Sequence, residues 1–220
     1  MSAAAVQGPS IAVVDYGMGN RRSVEKALEH VGARAIITSD HDALRAADGL
    51  IVPGVGAFPR AIESLRALGL DELIRERVDA GVAVLGICLG MQLAFEHSQE
   101  LGGAEGLGII AGEVRELEHG ALKLPHIGWT DVHILSAGAA LADGLPEHCA
   151  FYHVHSYAAV PADPSDVLAT ASYGGPFVTA VQRGSFVGVQ FHPEKSSTAG
   201  LRMLANFARM CAGAAAAGSR

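Results

Sequence analysis

Two short segments carry the residue types that could do chemistry together. The first is GICLGMQLAFEHSQE at 86–100. Cys88 stands between Gly86 and Gly90, after the apolar run VAVLGIC and before LGMQLAFEHS, which has a helical pattern. Strand, G-x-C-x-G and helix in that order have the form of a nucleophile elbow with cysteine in place of serine. Such a turn is sharp and strained, so its flanks must lack side chains, as Gly86 and Gly90 do. The thiol would then sit at the carboxyl end of a central strand, where open α/β sheets place their ligands. A helix N-terminus behind it favours negative charge on the sulfur and on an oxyanion near the N–H of Leu89. The plain alternative is a small buried cysteine in a tight turn, and the motif alone does not decide between the two.

The second segment supplies a base. VGVQFHPEK at 187–195 reads as a short strand ending in His192-Pro193-Glu194. Proline disfavours helix for the residue before it and fixes its own φ. The chain is therefore expected to be extended, with side chains at i and i+2 on one side. Glu194 would then orient one nitrogen of His192 while the other faces a thiol, giving the triad logic Cys…His-x-Glu. A third element, IVPGVGAF at 51–58, runs from a strand into Pro53-Gly54-Val55-Gly56. Its two glycines suit a close backbone approach, as the second donor of an oxyanion hole requires. A phosphate cradle is poorly matched, since neither GxGxxG nor GK[ST] is present.

These pieces need a frame. In the first half, strands at 11–15, 33–38, 49–54 and 82–88 alternate with helical patterns at 20–32, 40–48 and two stretches between Phe58 and Gly81. Such alternation predicts a parallel sheet covered on both faces. In the second half, GIIAGEVREL, LKLPHIGWTDVHIL, CAFYHVHSYAAV, VLATASY, FVTAVQRG and SFVGVQF read as strands joined by Gly, Pro and Asp turns. A last helix is expected over 198–213. The fold class is therefore α/β: an open, mixed, mostly parallel central sheet with helices on both faces and antiparallel elements in the second half. One domain over 10–213 is expected, with mobile tails at 1–9 and 214–220.

Composition narrows the function classes. The chain has 220 residues, is 50% apolar and 18% charged, and carries a net charge of −7 without a basic block. That favours a folded domain and disfavours nucleic acid as the main partner. No apolar run reaches the about 18 residues of a membrane span, and MSAAAVQGPS lacks the features of a secretory signal. Cys88, Cys149 and Cys211 show no metal-type spacing, so a reduced, cytoplasmic protein is expected, with Cys149 and Cys211 structural. His97, His119, His126 and His148 show no ligand-like grouping, so neither a metal nor another cofactor is predicted.

With GICLGMQ, VPGVGAF and FHPEKS in this order, the chain resembles the class I, triad-type glutamine amidotransferases over about residues 11–212. DYGMGN (15–20), PHIGWTDV (125–132), YHVHSY (152–157) and GVQFHPEKS (188–196) narrow the resemblance to members serving histidine biosynthesis. The resemblance implies hydrolysis of L-glutamine to glutamate and ammonia. It further implies transfer of that ammonia to a separate (βα)8-barrel cyclase subunit, which would make imidazole glycerol phosphate and an aminoimidazole carboxamide ribotide.

Carried over to this sequence, Cys88 would form a γ-glutamyl thioester, His192 would move the protons and Glu194 would orient His192. Leu89 and one N–H among Gly54, Val55 and Gly56 would hold the oxyanion. Gln92 and the backbone around His155, Ser156 and Tyr157 would contact the substrate. Asn20, Trp129, Tyr152 and Lys195 would lie at the partner face or ammonia exit. A glycine loop at 54–56 that must be repositioned before donating its N–H would keep an isolated subunit nearly idle. Two positions depart from the family pattern: Thr130 follows PHIGW where Asn is usual, and Arg21 follows DYGMGN where an apolar residue is usual. The rival readings are a glutaminase serving another class I amidotransferase, a free-standing Cys-His-Glu hydrolase, and an inactive scaffold that only binds a partner.

Overall fold

The structure, a computed structural model, describes residues 8–135 and 139–218. Strands β1 (Ser10–Val14), β2 (Arg34–Thr38), β3 (Gly49–Gly54) and β4 (Ala83–Cys88) alternate with helices α1 (Arg21–His30), α2 (His41–Ala46), α3 (Phe58–Ala67) and α4 (Leu70–Asp79). After the one-turn α5 (Leu89–Gln92) come β5 (Phe95–Ser98), β6 (Ala104–Glu105), β7 (Ile110–Glu116) and β8 (His126–Ile134). Then follow β9 (His148–His155), β10 (Tyr157–Pro161), β11 (Val167–Ser172), β12 (Pro176–Arg183), β13 (Phe186–Val189) and α6 (Ser197–Gly218).

The strands form one mixed sheet in the order β2-β1-β3-β4-β13-β12-β10-β7-β5-β6, with β11, β8 and β9 branching from β12. From β2 to β13 every pairing is parallel; β12, β10 and the branch pair antiparallel. Strands β3, β4 and β13 are neighbours, and Gly54 is paired with Cys88.

Strand periodicity builds the two cores. Ile11, Val13, Ile51, Leu85 and Ile87 face α1 and α6, packing with Val24, Leu28, Leu204 and Phe207. Ala12, Val14, Leu50, Val52 and Val84 face the other way, onto Leu44, Ile62, Leu65, Leu70 and Ile74 of α2, α3 and α4. Residues on both faces are fully buried, which is why β3 and β4 read as unbroken apolar runs. Asp40 caps α2, its carboxylate accepting from the N–H of Ala43 at 2.8 Å.

Three elements differ from expectation. The helix after the elbow lasts one turn, and the chain then enters β5. The apolar stretch Leu93-Ala94-Phe95 is fully buried, and Gly106 lies so close to it that a Cβ there would be 2.1 Å from the carbonyl oxygen of Phe95. CAFYHVHSYAAV is two strands divided at Ser156, so that β9 pairs with β8 while β10 pairs with β7. Helix α6 extends to Gly218, beyond the expected 213. At the other end, Pro9 accepts from the N–H of Arg34, leading directly into β1. Residues 1–7 and 219–220 of the expected mobile tails lie outside the described residues. Among the described residues, no helix is long and apolar enough to cross a membrane.

Candidate active site

The elbow is built as its glycines require. Cys88 has φ 54 and ψ −111, a conformation that non-glycine residues rarely adopt. A Cβ on Gly86 would lie 2.6 Å from the carbonyl oxygen of Gly90, and one on Gly90 would lie 1.8 Å from that of Val52. These contacts press α5 onto β3 and β4, holding the thiol above the sheet edge. The turn that follows is too short for a full helix dipole, so its local N–H groups carry the electrostatic effect. The thiol lies 3.7 Å from the carbonyl oxygen of Val154, and the Gln190 amide donates toward Sγ at 3.6 Å.

His192 arrives from the neighbouring strand. Beyond β13, the Phe191 ring stacks on Phe151 at 4.0 Å, anchoring the segment to β9. The N–H of His192 donates to the carbonyl oxygen of Tyr152 at 2.9 Å, and the hydroxyl of Ser196 donates to the carbonyl oxygen of His192 at 2.6 Å. His192 itself is extended, but Pro193–Lys195 form a single 3-10 turn instead of continuing the strand. That turn brings the Glu194 carboxylate to accept from Nδ1 of His192 at 2.9 Å, with both side chains almost fully buried. Burial alone would lower the His192 pKa, yet hydrogen bonds and negative charge from Cys88 and Glu194 override it, pushing it up to about 10.

The other histidines nearby behave oppositely. Burial drives His153 down to about 3 and His155 down to about 4, and it also lowers His126. Their tautomers follow from their partners. His155 Nδ1 donates to the carbonyl oxygen of Tyr157 at 2.8 Å, so its Nε2 accepts from His126 Nδ1 at 2.9 Å. His126 Nε2 then accepts from the Thr130 hydroxyl at 2.7 Å. Thr130, the departure at 130, therefore starts a hydrogen-bond chain that runs through His126 and His155 to the carbonyl oxygen of Tyr157. The departure at Arg21 also has a local partner, since its guanidinium pairs with Asp15.

A cavity of about 210 Å³ opens over the thiol, lined by Val55, Gly56, Cys88, Leu89, Gln92, Glu100, Pro125, Val154, His155, Ser156 and Tyr157. The sequence-predicted oxyanion and substrate residues therefore converge here, except Gly54, which lies beneath, where a Cβ would meet the Tyr16 hydroxyl at 2.7 Å. Gln92 is buried; its amide donates to the carbonyl oxygen of Tyr157 at 3.0 Å and to Gln190 Oε1 at 2.9 Å. Trp129 is 55% exposed and packs edge-on to Tyr152 at 6.2 Å, with the Lys195 ammonium 5.9 Å over the Tyr152 ring. Asn20 is the N-cap residue of α1.

Several residues with a place in this geometry carry no mark in the sequence. Glu100 brings a carboxylate to the cavity wall and is held by the N–H of Phe58 at 2.8 Å. Tyr16 donates to the carbonyl oxygen of Pro53 beneath the glycine loop. Gln190 and Ser196 lie in the His192 segment, but only the folded contacts reveal what they hold.

The sequence profile described as "Glutamine amidotransferase class-I" matches residues 12–211. Imidazole glycerol phosphate synthase subunit HisH of Methylococcus capsulatus is 48% identical over 91% of this chain and 96% of its own length. The same-named subunits of Moorella thermoacetica and Rhodopirellula baltica are 48% and 49% identical, covering 94% and 90% of this chain and 98% and 96% of their own. Among solved structures, PurLQS from Thermotoga maritima superposes with a TM-score of 0.71 at 17% identity, covering 94% of this chain and 98% of that one. The glutaminase domain of Trypanosoma brucei CTPS gives 0.64 at 22% identity and 94% of each chain. These two likenesses establish the fold, and the closer sequence matches establish the kinship. An elbow cysteine, a raised histidine and its buried carboxylate thus sit in a chain that belongs to the glutamine amidotransferase class-I family, in the group of the imidazole glycerol phosphate synthase subunit HisH.

Proposed function

We propose that this chain hydrolyses L-glutamine and delivers the ammonia to a (βα)8-barrel cyclase subunit, which makes imidazole glycerol phosphate and an aminoimidazole carboxamide ribotide. The observation that carries the reading is the buried Cys88–His192–Glu194 arrangement beneath a cavity of amino-acid size. His192 takes the Cys88 thiol proton as the sulfur attacks the side-chain amide carbon, and the carbonyl oxygen takes the negative charge. The N–H of Leu89 and one N–H from Gly54-Val55-Gly56 receive that oxyanion. His192 gives its proton to the departing nitrogen, ammonia leaves, and a γ-glutamyl thioester remains. His192 then takes a proton from water, whose oxygen attacks the thioester carbon; glutamate leaves and the thiol is restored.

Substrate recognition is supported by the cavity wall. The Glu100 carboxylate suits the α-ammonium group, and Gln92 with the backbone of His155, Ser156 and Tyr157 suits the α-carboxylate. Trp129, Tyr152 and Lys195 suit the partner face, since exposed aromatic residues anchor interfaces. Asn20 and Lys195 flank the proposed exit for ammonia. The unit acting in this way is residues 10–213, working in the cytoplasm with Cys88, Cys149 and Cys211 free.

The test is glutamate release from glutamine by the chain alone, then with a cyclase subunit and its nucleotide ligand, with Cys88→Ala as the blank. Stimulation by the loaded partner that vanishes in the blank is expected. Full activity without a partner would instead identify a free-standing hydrolase, and release from Cys88→Ala would exclude the thiol as nucleophile.

A further inference from the structure

The β8–β9 hairpin presents a second chemically distinct face. Alternation puts Ile127, Trp129, Asp131 and His133 on one side of β8, opposite Val154, Tyr152, Ala150 and His148 of β9. The end near the cavity is aromatic and apolar. The other end, beside the 135–147 connection, carries two histidines and two carboxylates. His133 and His148 are direct cross-strand partners whose rings stack at 4.6 Å and 2°. His133 Nε2 lies 3.1 Å from Glu147 Oε1, and His148 Nδ1 lies 2.9 Å from Asp131 Oδ2. One ligand atom from each of His133, Glu147 and His148 lies within 4.8 Å of the others.

We propose that His133, Glu147 and His148 form a binding site for a divalent late transition-metal ion of the zinc class, with Asp131 orienting His148.

The donor set selects the ion. Two imidazoles and one carboxylate suit zinc, cobalt, nickel or copper, whereas magnesium and calcium favour oxygen ligands. Zinc takes imidazole nitrogen at about 2.0–2.1 Å and carboxylate oxygen at about 2.0–2.2 Å, so ligand atoms around it stand roughly 3.4 Å apart. The present spacing closes to that value by side-chain rotation, since His133 and Glu147 are 42% and 72% exposed. The backbone needs no shift, because His133 and His148 already oppose each other and the N–H of Ile134 is held by the carbonyl oxygen of Glu147 at 2.8 Å.

Asp131 supplies the second feature of a metal site. When His148 Nδ1–H donates to its carboxylate, the lone pair of Nε2 is left for the ion, the carboxylate–histidine–metal arrangement common in proteins. Three protein ligands leave a fourth position for water. A bound ion would tie β8 to β9 at the end of the hairpin remote from the cavity. The sequence hides the grouping because the connection 135–147 separates His133 from its partners, and only strand register unites them.

The experiment uses the full chain carrying Cys88→Ala, so that the catalytic thiol takes no metal. Zinc titration by calorimetry and the visible absorption of added cobalt are read, with magnesium as the control ion. One equivalent of zinc is expected to bind and to raise the melting temperature, while magnesium does neither. His133→Ala and His148→Ala should each weaken binding more than tenfold, and Asp131→Asn by about tenfold. His119→Ala, at a half-buried histidine elsewhere, should change nothing. Circular dichroism checks that the surface variants fold. Zinc binding that survives unchanged in the double variant His133→Ala/His148→Ala, or no binding tighter than millimolar, overturns the proposal.

Discussion

The phenol of Tyr16 donates a 2.6 Å hydrogen bond to the carbonyl oxygen of Pro53. Burial, assisted by the nearby Cys88, pushes this phenol above its ordinary pKa, so it remains a neutral donor. The carbonyl it grips belongs to the peptide whose N–H is that of Gly54, which ties the hydroxyl to the first donor of the glycine loop. Tyr16→Phe is expected to destabilise the fold by roughly 1 kcal/mol in denaturant unfolding. It should also change glutaminase kcat more than KM, because ring packing persists while the peptide loses its restraint. An unchanged kcat with the partner present would separate Tyr16 from the loop.

Glu194→Gln tests the electrostatic half of the triad. Gln keeps the size of the side chain but removes the charge that helps to raise His192. Glutaminase kcat should fall about 10²–10⁴-fold, with KM nearly constant. The His192 pKa, followed by NMR, should drop from about 10 toward its ordinary value. A full rate would mean that position, without charge, is what Glu194 contributes.

Gly56→Val tests the glycine loop. Gly56 has φ 109, and a Cβ there would lie 2.8 Å from Cε of Met18. A β-branched residue in that conformation is strained and restricts rotation of the peptide. Turnover should fall on the order of 10²-fold even with the loaded partner, as for loss of one oxyanion donor. Normal turnover would remove the need for a mobile peptide at 54–56.

Stability should depend on pH with a definite sign. His153 and His155 are held neutral, with pKa values lowered to about 3 and about 4. Their contribution is complete above the unfolded pKa of about 6.5 and is lost as pH falls toward those values, on the order of 1 kcal/mol per pH unit for each group. His192 runs the other way: its contribution is complete below about 6.5 and is lost as pH rises through about 10. Urea unfolding between pH 7 and 4 should therefore show falling stability. His153→Phe, placed beside Phe177 and Phe191, should flatten that fall. An unaltered slope would mean that other groups take up the protons.

What the sequence determined by itself was local. Gly86 and Gly90 around Cys88 require a tight elbow, because no side chain fits where α5 meets β3, and the apolar runs at 49–54 and 82–88 require strands buried on both faces. Proline after His192 and the glycines at 54 and 56 are equally readable, since each limits or frees its own backbone. The tertiary structure decided everything that depends on pairing across long separations. It ended the helix after Gln92, because the buried stretch that follows joins the sheet as β5. It made Pro193–Lys195 a turn, and that turn, with its anchoring on Tyr152 and Ser196, sets the His192–Glu194 distance. Tyr16, Glu100 and Gln190 gained their places only when distant strands came together. The same register placed His133 beside His148 and His126 beside His155. Side-chain type and spacing fix what a segment can become, whereas hydrogen-bond partners 30 to 100 residues away are chosen by strand order, which no short segment encodes.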